Sequence, residues 1–118
     1  MTLIDKYLIY VKNVRRYSDK TVESYRSILK AFYAIVLNGR ELTDSLALEP
    51  LNPSEIRQYV AARMKDDGFG PRTANLHLSV ISGYCRYLMM EGRIKMNPVR
   101  LVPRLKEESH LPVFYKEE

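Results

Sequence analysis

Six polar residues in one stretch of this chain have types and spacing that could do recognition chemistry: Arg72, Asn75, Ser79, Ser82, Arg86 and Arg93. Successive gaps of three, four, three, four and seven keep them on one line of an α-helix. Arginines on such a line offer forked N–H donors to phosphate or carboxylate, and small polar side chains let a base edge come close. The same stripe also reads as the solvated outer face of an otherwise embedded helix. Spacing alone leaves both readings open.

Bond-making chemistry finds little support. His77 and His110 are far apart in sequence, and neither has a carboxylate or thiol at ligand spacing, so no metal site and no cofactor is expected. His77 falls at the edge of an apolar arc, where it reads as a core-edge ring or as a phosphate contact. Cys85, the single cysteine, sits inside that arc and reads as a buried, inert thiol. Gly68-Phe69-Gly70 is too short for a phosphate loop and follows no strand, and no serine has a nucleophile-elbow motif. Of nine tyrosines, seven lie in helix-patterned segments, most at core spacing. The chain is therefore expected not to be an enzyme.

The elements that must carry the stripe follow from periodicity and caps. Pro71 suits a first helical position and Gly92 a left-handed stop, which predicts a helix between them. Leu76, Leu78, Val80, Ile81, Tyr84, Cys85, Tyr87 and Leu88 spread over more than half its circumference. Upstream, Leu3, Ile4, Tyr7, Leu8 and Val11 predict a short first helix over 3–13, followed by the basic connection 13–17. Ser18 caps a second helix that buries Val22, Tyr25, Leu29, Phe32 and Val36 and stops at Asn38-Gly39. Residues 39–52 read as a loop with one turn around Leu46. Asn52-Pro53-Ser54-Glu55 opens a third helix with Ile56, Tyr59, Val60 and Met64 inside, closed by Asp67-Gly68. From Asn97-Pro98 onward the spacing predicts an extended connector rather than a packed element. No run alternates as a strand should, so the fold class is all-α: a compact bundle of four to five helices over 1–96, then a linker over 97–118.

A length of 118 residues fits one small domain. The lone cysteine suits a reducing cytoplasm, and Asp5 and Lys6 interrupt the apolar N-terminal run, excluding a signal peptide or membrane span there. Charge is segregated: residues 1–40 carry net +5, residues 41–68 net −3, residues 69–106 net +6 and the last twelve net −3. Two basic segments around an acidic one suggest a two-part positive surface facing a polyanion. A membrane partner fits less well, since no segment is a basic amphipathic helix with an exposed apolar face.

Two stretches match a known signature. Ser18-Asp19-Lys20-Thr21, Tyr25-Arg26, Leu29 and Phe32 resemble the S-x-x-T-x-x-x-Y-x-x-x-L-x-x-F pattern of tyrosine recombinases. Gly70-Pro71-Arg72-Thr73, Leu78-Ser79, Tyr84, Leu88, Glu91-Gly92 and Asn97-Pro98 resemble that family's second signature, and Leu111-Pro112-Val113-Phe114 is similar to the segment where its catalytic domain begins. The resemblance implies the N-terminal, SAM-like core-binding domain of a phage-integrase-type enzyme. In that family the domain clamps duplex DNA together with a following catalytic domain and assembles there with other recombinase protomers. It implies that the second and fourth predicted helices face DNA and that the catalytic residues lie outside this chain, so that Tyr115 is a linker residue rather than the nucleophile.

Together these readings nominate Arg72 and Thr73 for a phosphate at a helix start, and Asn75 and Ser79 for base edges. Arg86 and Lys20 are nominated for backbone phosphates, with Ser24, Arg26 and Ser82 beside them. The departures from the family pattern are Gly70 in place of a capping serine, His77 in place of a basic residue, and Leu76 and Ser82 where basic residues are frequent. They point to shape and phosphate contacts over base reading. Two rivals are a helical protein–protein module with an acidic partner and a small helix-turn-helix regulator, whose short turn Asp67–Gly70 could supply.

Overall fold

A computed structural model describes residues 2–106. Among them are five α-helices, α1 (Leu3–Asn13), α2 (Asp19–Val36), α3 (Asp44–Leu48), α4 (Pro53–Asp67) and α5 (Pro71–Met90), followed by a 3-10 turn, Pro98–Leu101, and no strand. The all-α expectation holds, and the predicted fourth helix is α5.

The helix ends are set locally. Thr2 and Asp5 form a reciprocal capping box on α1, with Asp5 N–H donating to Thr2 Oγ1 at 3.1 Å and Thr2 N–H to Asp5 Oδ2 at 3.2 Å. The backbone N–H of Thr2 is the main reason the Asp5 carboxyl titrates below its usual range. Ser18 accepts from Thr21 N–H at 3.2 Å to start α2, and Asn52 accepts from Glu55 N–H at 2.9 Å to start α4. Gly68 ends α4 at φ +69°, a left-handed conformation that glycine adopts without a Cβ penalty.

α5 is the hub: it packs against α1, α2, α4 and the 3-10 turn. Leu78, Val80, Ile81, Tyr84, Cys85 and Leu88 are completely buried there, alongside Leu29 and Phe32 of α2 and Ile56 of α4. Tyr33, which is not among the residues predicted for the buried face of α2, is 3% exposed. Its hydroxyl donates to the Ala47 carbonyl at 2.6 Å and lies 2.9 Å from the Tyr84 hydroxyl, so one phenol ties α2, α3 and α5 together. Tyr25, expected in the core, is only half-buried, and Ile35 is exposed.

The corner between α4 and α5 is a stack of rings. Tyr59 Oη is 2.7 Å from His77 Nδ1, Phe69 packs on the same imidazole at 4.9 Å, and the Arg63 guanidinium covers Phe69 at 4.6 Å. Arg63 Nε is 3.3 Å from an Asp67 carboxylate oxygen, near enough for attraction but outside hydrogen-bond alignment. His77 is thus a core residue, and burial holds its titration below the ordinary range.

One expectation is corrected. Residues 97–105 do not run as a free extended connector but dock on the bundle. Pro98, Val99 and Val102 are buried, because the 3-10 turn brings the two valines, three residues apart, to one side against α4 and α5. Burying each valine favours docking by roughly 1.5–3 kcal/mol before the cost of ordering the chain. The expectations for His110, Pro112 and Tyr115 fall outside the described residues.

Candidate nucleic-acid interface

The open face of α5 is rotated by about one position from the expected stripe. Arg72, Leu76, Ser79, Arg86 and Met90 are exposed and Gly83 is half-exposed, forming one line with spacings of four, three, four, three and four. Thr73 is exposed beside its start. Gly70 supplies no side-chain cap, so first-turn N–H groups of α5 keep their capacity for an acceptor from outside.

Asn75 and Ser82 are not on this line; both are buried on the flank covered by residues 97–105. The Asn75 amide behaves like a piece of backbone: Nδ2 donates to the Leu105 carbonyl at 2.8 Å, and Oδ1 accepts from Leu105 N–H at 2.9 Å. The Asn75 carbonyl also accepts from Arg104 at 2.9 Å. Ser82 Oγ accepts from Asn97 Nδ2 at 2.8 Å and from Arg86 Nη1 at 2.9 Å. The two residues therefore hold the chain leaving the bundle, and Ser82 also holds one arm of Arg86. An apolar pair three residues apart, Val99 and Val102, was the sequence signal for this docked segment.

On α2, Lys20 and Ser24 are exposed on one face. Arg26 faces the other way: its Nε donates to Glu23 at 2.9 Å and its guanidinium is 3.7 Å from Asp5 of α1, so its charge is largely answered inside the chain. Burial and the neighbouring Tyr17 push the Tyr25 phenol's titration up, and Arg15 of the α1–α2 turn and Arg86 of α5 offset part of that. Lys20, Ser24, Arg72, Thr73, Ser79 and Arg86 thus remain exposed, Arg86 with one arm on Ser82, whereas Arg26 is paired with carboxylates and Asn75 and Ser82 are buried.

The model of the phage integrase N-terminal SAM-like domain matches residues 4–92, and the chain belongs to that family. Among individual proteins, it is 31% identical over 112 residues to Tyrosine recombinase XerC of Treponema denticola, covering 95% of this chain and 35% of that protein. It is 27% identical over 111 residues to Tyrosine recombinase XerC of Mannheimia succiniciproducens (94% and 36%), and 31% identical over 106 residues to that of Methylobacterium nodulans (90% and 33%). The chain thus spans about a third of the length of these curated relatives. No solved structure matches it significantly. Among the described residues no helix is long and apolar enough to cross a membrane.

Proposed function

We propose that this chain binds duplex DNA as the N-terminal clamp domain of a site-specific tyrosine recombinase, with the bond-breaking chemistry supplied by a catalytic domain outside these residues. The observation that carries the reading is the open line of α5, where Arg72 and Arg86 stand without a carboxylate partner among the described residues. Arg26, Arg40 and Arg63, by contrast, each lie within 4 Å of a carboxylate. Cations left unpaired along one helix face fit a ligand that brings its own negative charges at regular intervals, as a duplex backbone does.

In this reading Arg72, with the first-turn N–H groups, and Arg86 and Lys20 take phosphates, and Thr73 and Ser24 add hydroxyl donors. Ser79 approaches a base edge, and the exposed Leu76 suits the methyl group of a thymine. Asn75 and Ser82 contribute indirectly by fixing the docked segment, and Arg26 by bracing α2 against α1. Other recombinase protomers and the catalytic domain are the expected protein partners.

Titration of labelled duplexes at several salt concentrations tests the proposal. The expected dissociation constant is about 1–100 µM near physiological salt, with weak sequence preference and a steep loss of affinity as salt rises. Binding to an acidic protein or peptide but not to duplex would favour the protein–protein reading instead.

A further inference from the structure

A second feature of the same face joins Arg86 to residues not nominated so far. Between the α1–α2 turn and the C-terminal half of α5 is a recess of about 200 Å³, lined by Tyr7, Tyr10, Arg15, Tyr17, Gly83 and Arg86 among others, with no carboxylate in its wall. That is smaller than the roughly 300–1,000 Å³ of pockets that enclose drug-sized ligands, and suits a small anion.

Three side-chain donors line it. Arg15 stands in a turn closed by Arg15 N–H to the Tyr10 carbonyl at 3.3 Å and Tyr17 N–H to the Val11 carbonyl at 3.0 Å, with Arg16 left-handed at φ +61°. Its guanidinium lies over the Tyr17 ring at 5.9 Å. Arg86 is braced by its bond to Ser82 and leaves its remaining N–H groups to the recess. Tyr7 is 3% exposed, its ring packed against Tyr84 and Tyr87 at 5.5 Å each. Its hydroxyl comes within 2.8 Å of where a Cβ on residue 83 would stand, so only glycine there lets it reach the open line of α5. Burial raises the Tyr7 titration and Arg86 and Arg15 offset part of that, so the phenol keeps its proton at physiological pH and can donate.

We propose that this recess is a seat for one phosphate group, clamped by Arg15 and Arg86 with the Tyr7 hydroxyl at its floor. It rests on the DNA-binding reading, in which the phosphate is a backbone phosphodiester; free inorganic phosphate shares that chemistry and is the other source. Two forked guanidiniums closing on one tetrahedral anion match its geometry better than lysines would.

The test uses the 118-residue chain in duplex titrations over a range of salt, with Lys65→Ala as control. Arg15→Ala is expected to weaken binding to every duplex by roughly tenfold, about the worth of one charge-assisted contact. Tyr7→Phe, which keeps the ring, weakens it less but in the same direction. Because both arginines serve one phosphate, the double variant Arg15→Ala/Arg86→Ala should lower the log–log salt slope by about 0.9, the worth of one phosphate and not two. If Arg15→Ala and Tyr7→Phe bind like the control while Arg72→Ala is weakened, the seat is overturned and the DNA reading stands. If the parent chain binds no duplex, the DNA reading falls, and an NMR titration with inorganic phosphate decides the seat. Shifts at the Gly83 amide that vanish in Arg15→Ala keep it as a free-phosphate site, and their absence overturns it.

Discussion

Replacing Asn75 by alanine separates the two roles its position allows. The side chain makes a matched pair of bonds to Leu105, at 2.8 and 2.9 Å, and is 7% exposed. At a net ~0.5–1.5 kcal/mol per hydrogen bond, their loss weakens docking of residues 97–105 by about 1–3 kcal/mol. The bond from Arg104 to the Asn75 carbonyl is main-chain on the Asn75 side and survives the substitution. The released Leu105 groups can reach water, which keeps the cost local and leaves the helix core intact. Amide hydrogen exchange at Leu105 is therefore expected to speed up by roughly 5- to 150-fold, while core amides of α5 such as Leu78 and Ile81 change little. Duplex affinity should change little as well. Unchanged exchange at Leu105 together with loss of a base preference would put the amide on DNA and refute this account of Asn75.

Other substitutions probe the core. Tyr33→Phe removes a hydroxyl bonded to the Ala47 carbonyl and to Tyr84, and should lower stability by about 1–3 kcal/mol in urea unfolding; an unchanged midpoint would mean those bonds contribute nothing. His77 titrates below its ordinary 6.5 because the fold buries it, so the unfolded chain binds the extra proton first as pH falls. The histidine's contribution should thus be intact above about pH 7 and decline as pH drops through 6.5 toward the depressed folded value, and His77→Gln should flatten that dependence. Rising stability between pH 7 and 6 that depends on His77 would contradict the buried, neutral ring. Gly68→Ala places a Cβ at φ +69° and should cost about 1 kcal/mol, read from the same unfolding curves.

The helix plan was legible because its signals are short-range. Ser18, Asn52-Pro53, Gly68 and Pro71 act within a turn of where they stand, and the structure begins and ends its helices there. The rotation of the α5 surface was not legible. A polar side chain reads alike whether it meets water or a later piece of its own chain, and Asn75 is claimed by a backbone thirty residues downstream. Leu76 shows the converse, an apolar residue counted with the core that is 52% exposed because it falls on the open line. Arg26 matched the family signature and a basic surface equally well, but Asp5, twenty-one residues earlier, lies beside it once α1 packs on α2. Arg15 and Gly83 carried no sequence signal as a site, since the recess exists only after α1 and α5 are brought together.

The central claim is that the open face of α5 meets the DNA backbone, and a salt-dependent anisotropy titration of Arg72→Ala against Lys65→Ala tests it most directly. Arg72 is exposed at the uncapped start of α5, whereas Lys65 is exposed in the last turn of the acidic segment's helix, α4. The account predicts that Arg72→Ala weakens binding to cognate-like and random duplexes alike and lowers the log–log salt slope by about 1, while Lys65→Ala leaves both unchanged. Identical curves for the two variants would mean that the stripe is only a solvated face, and would contradict the claim.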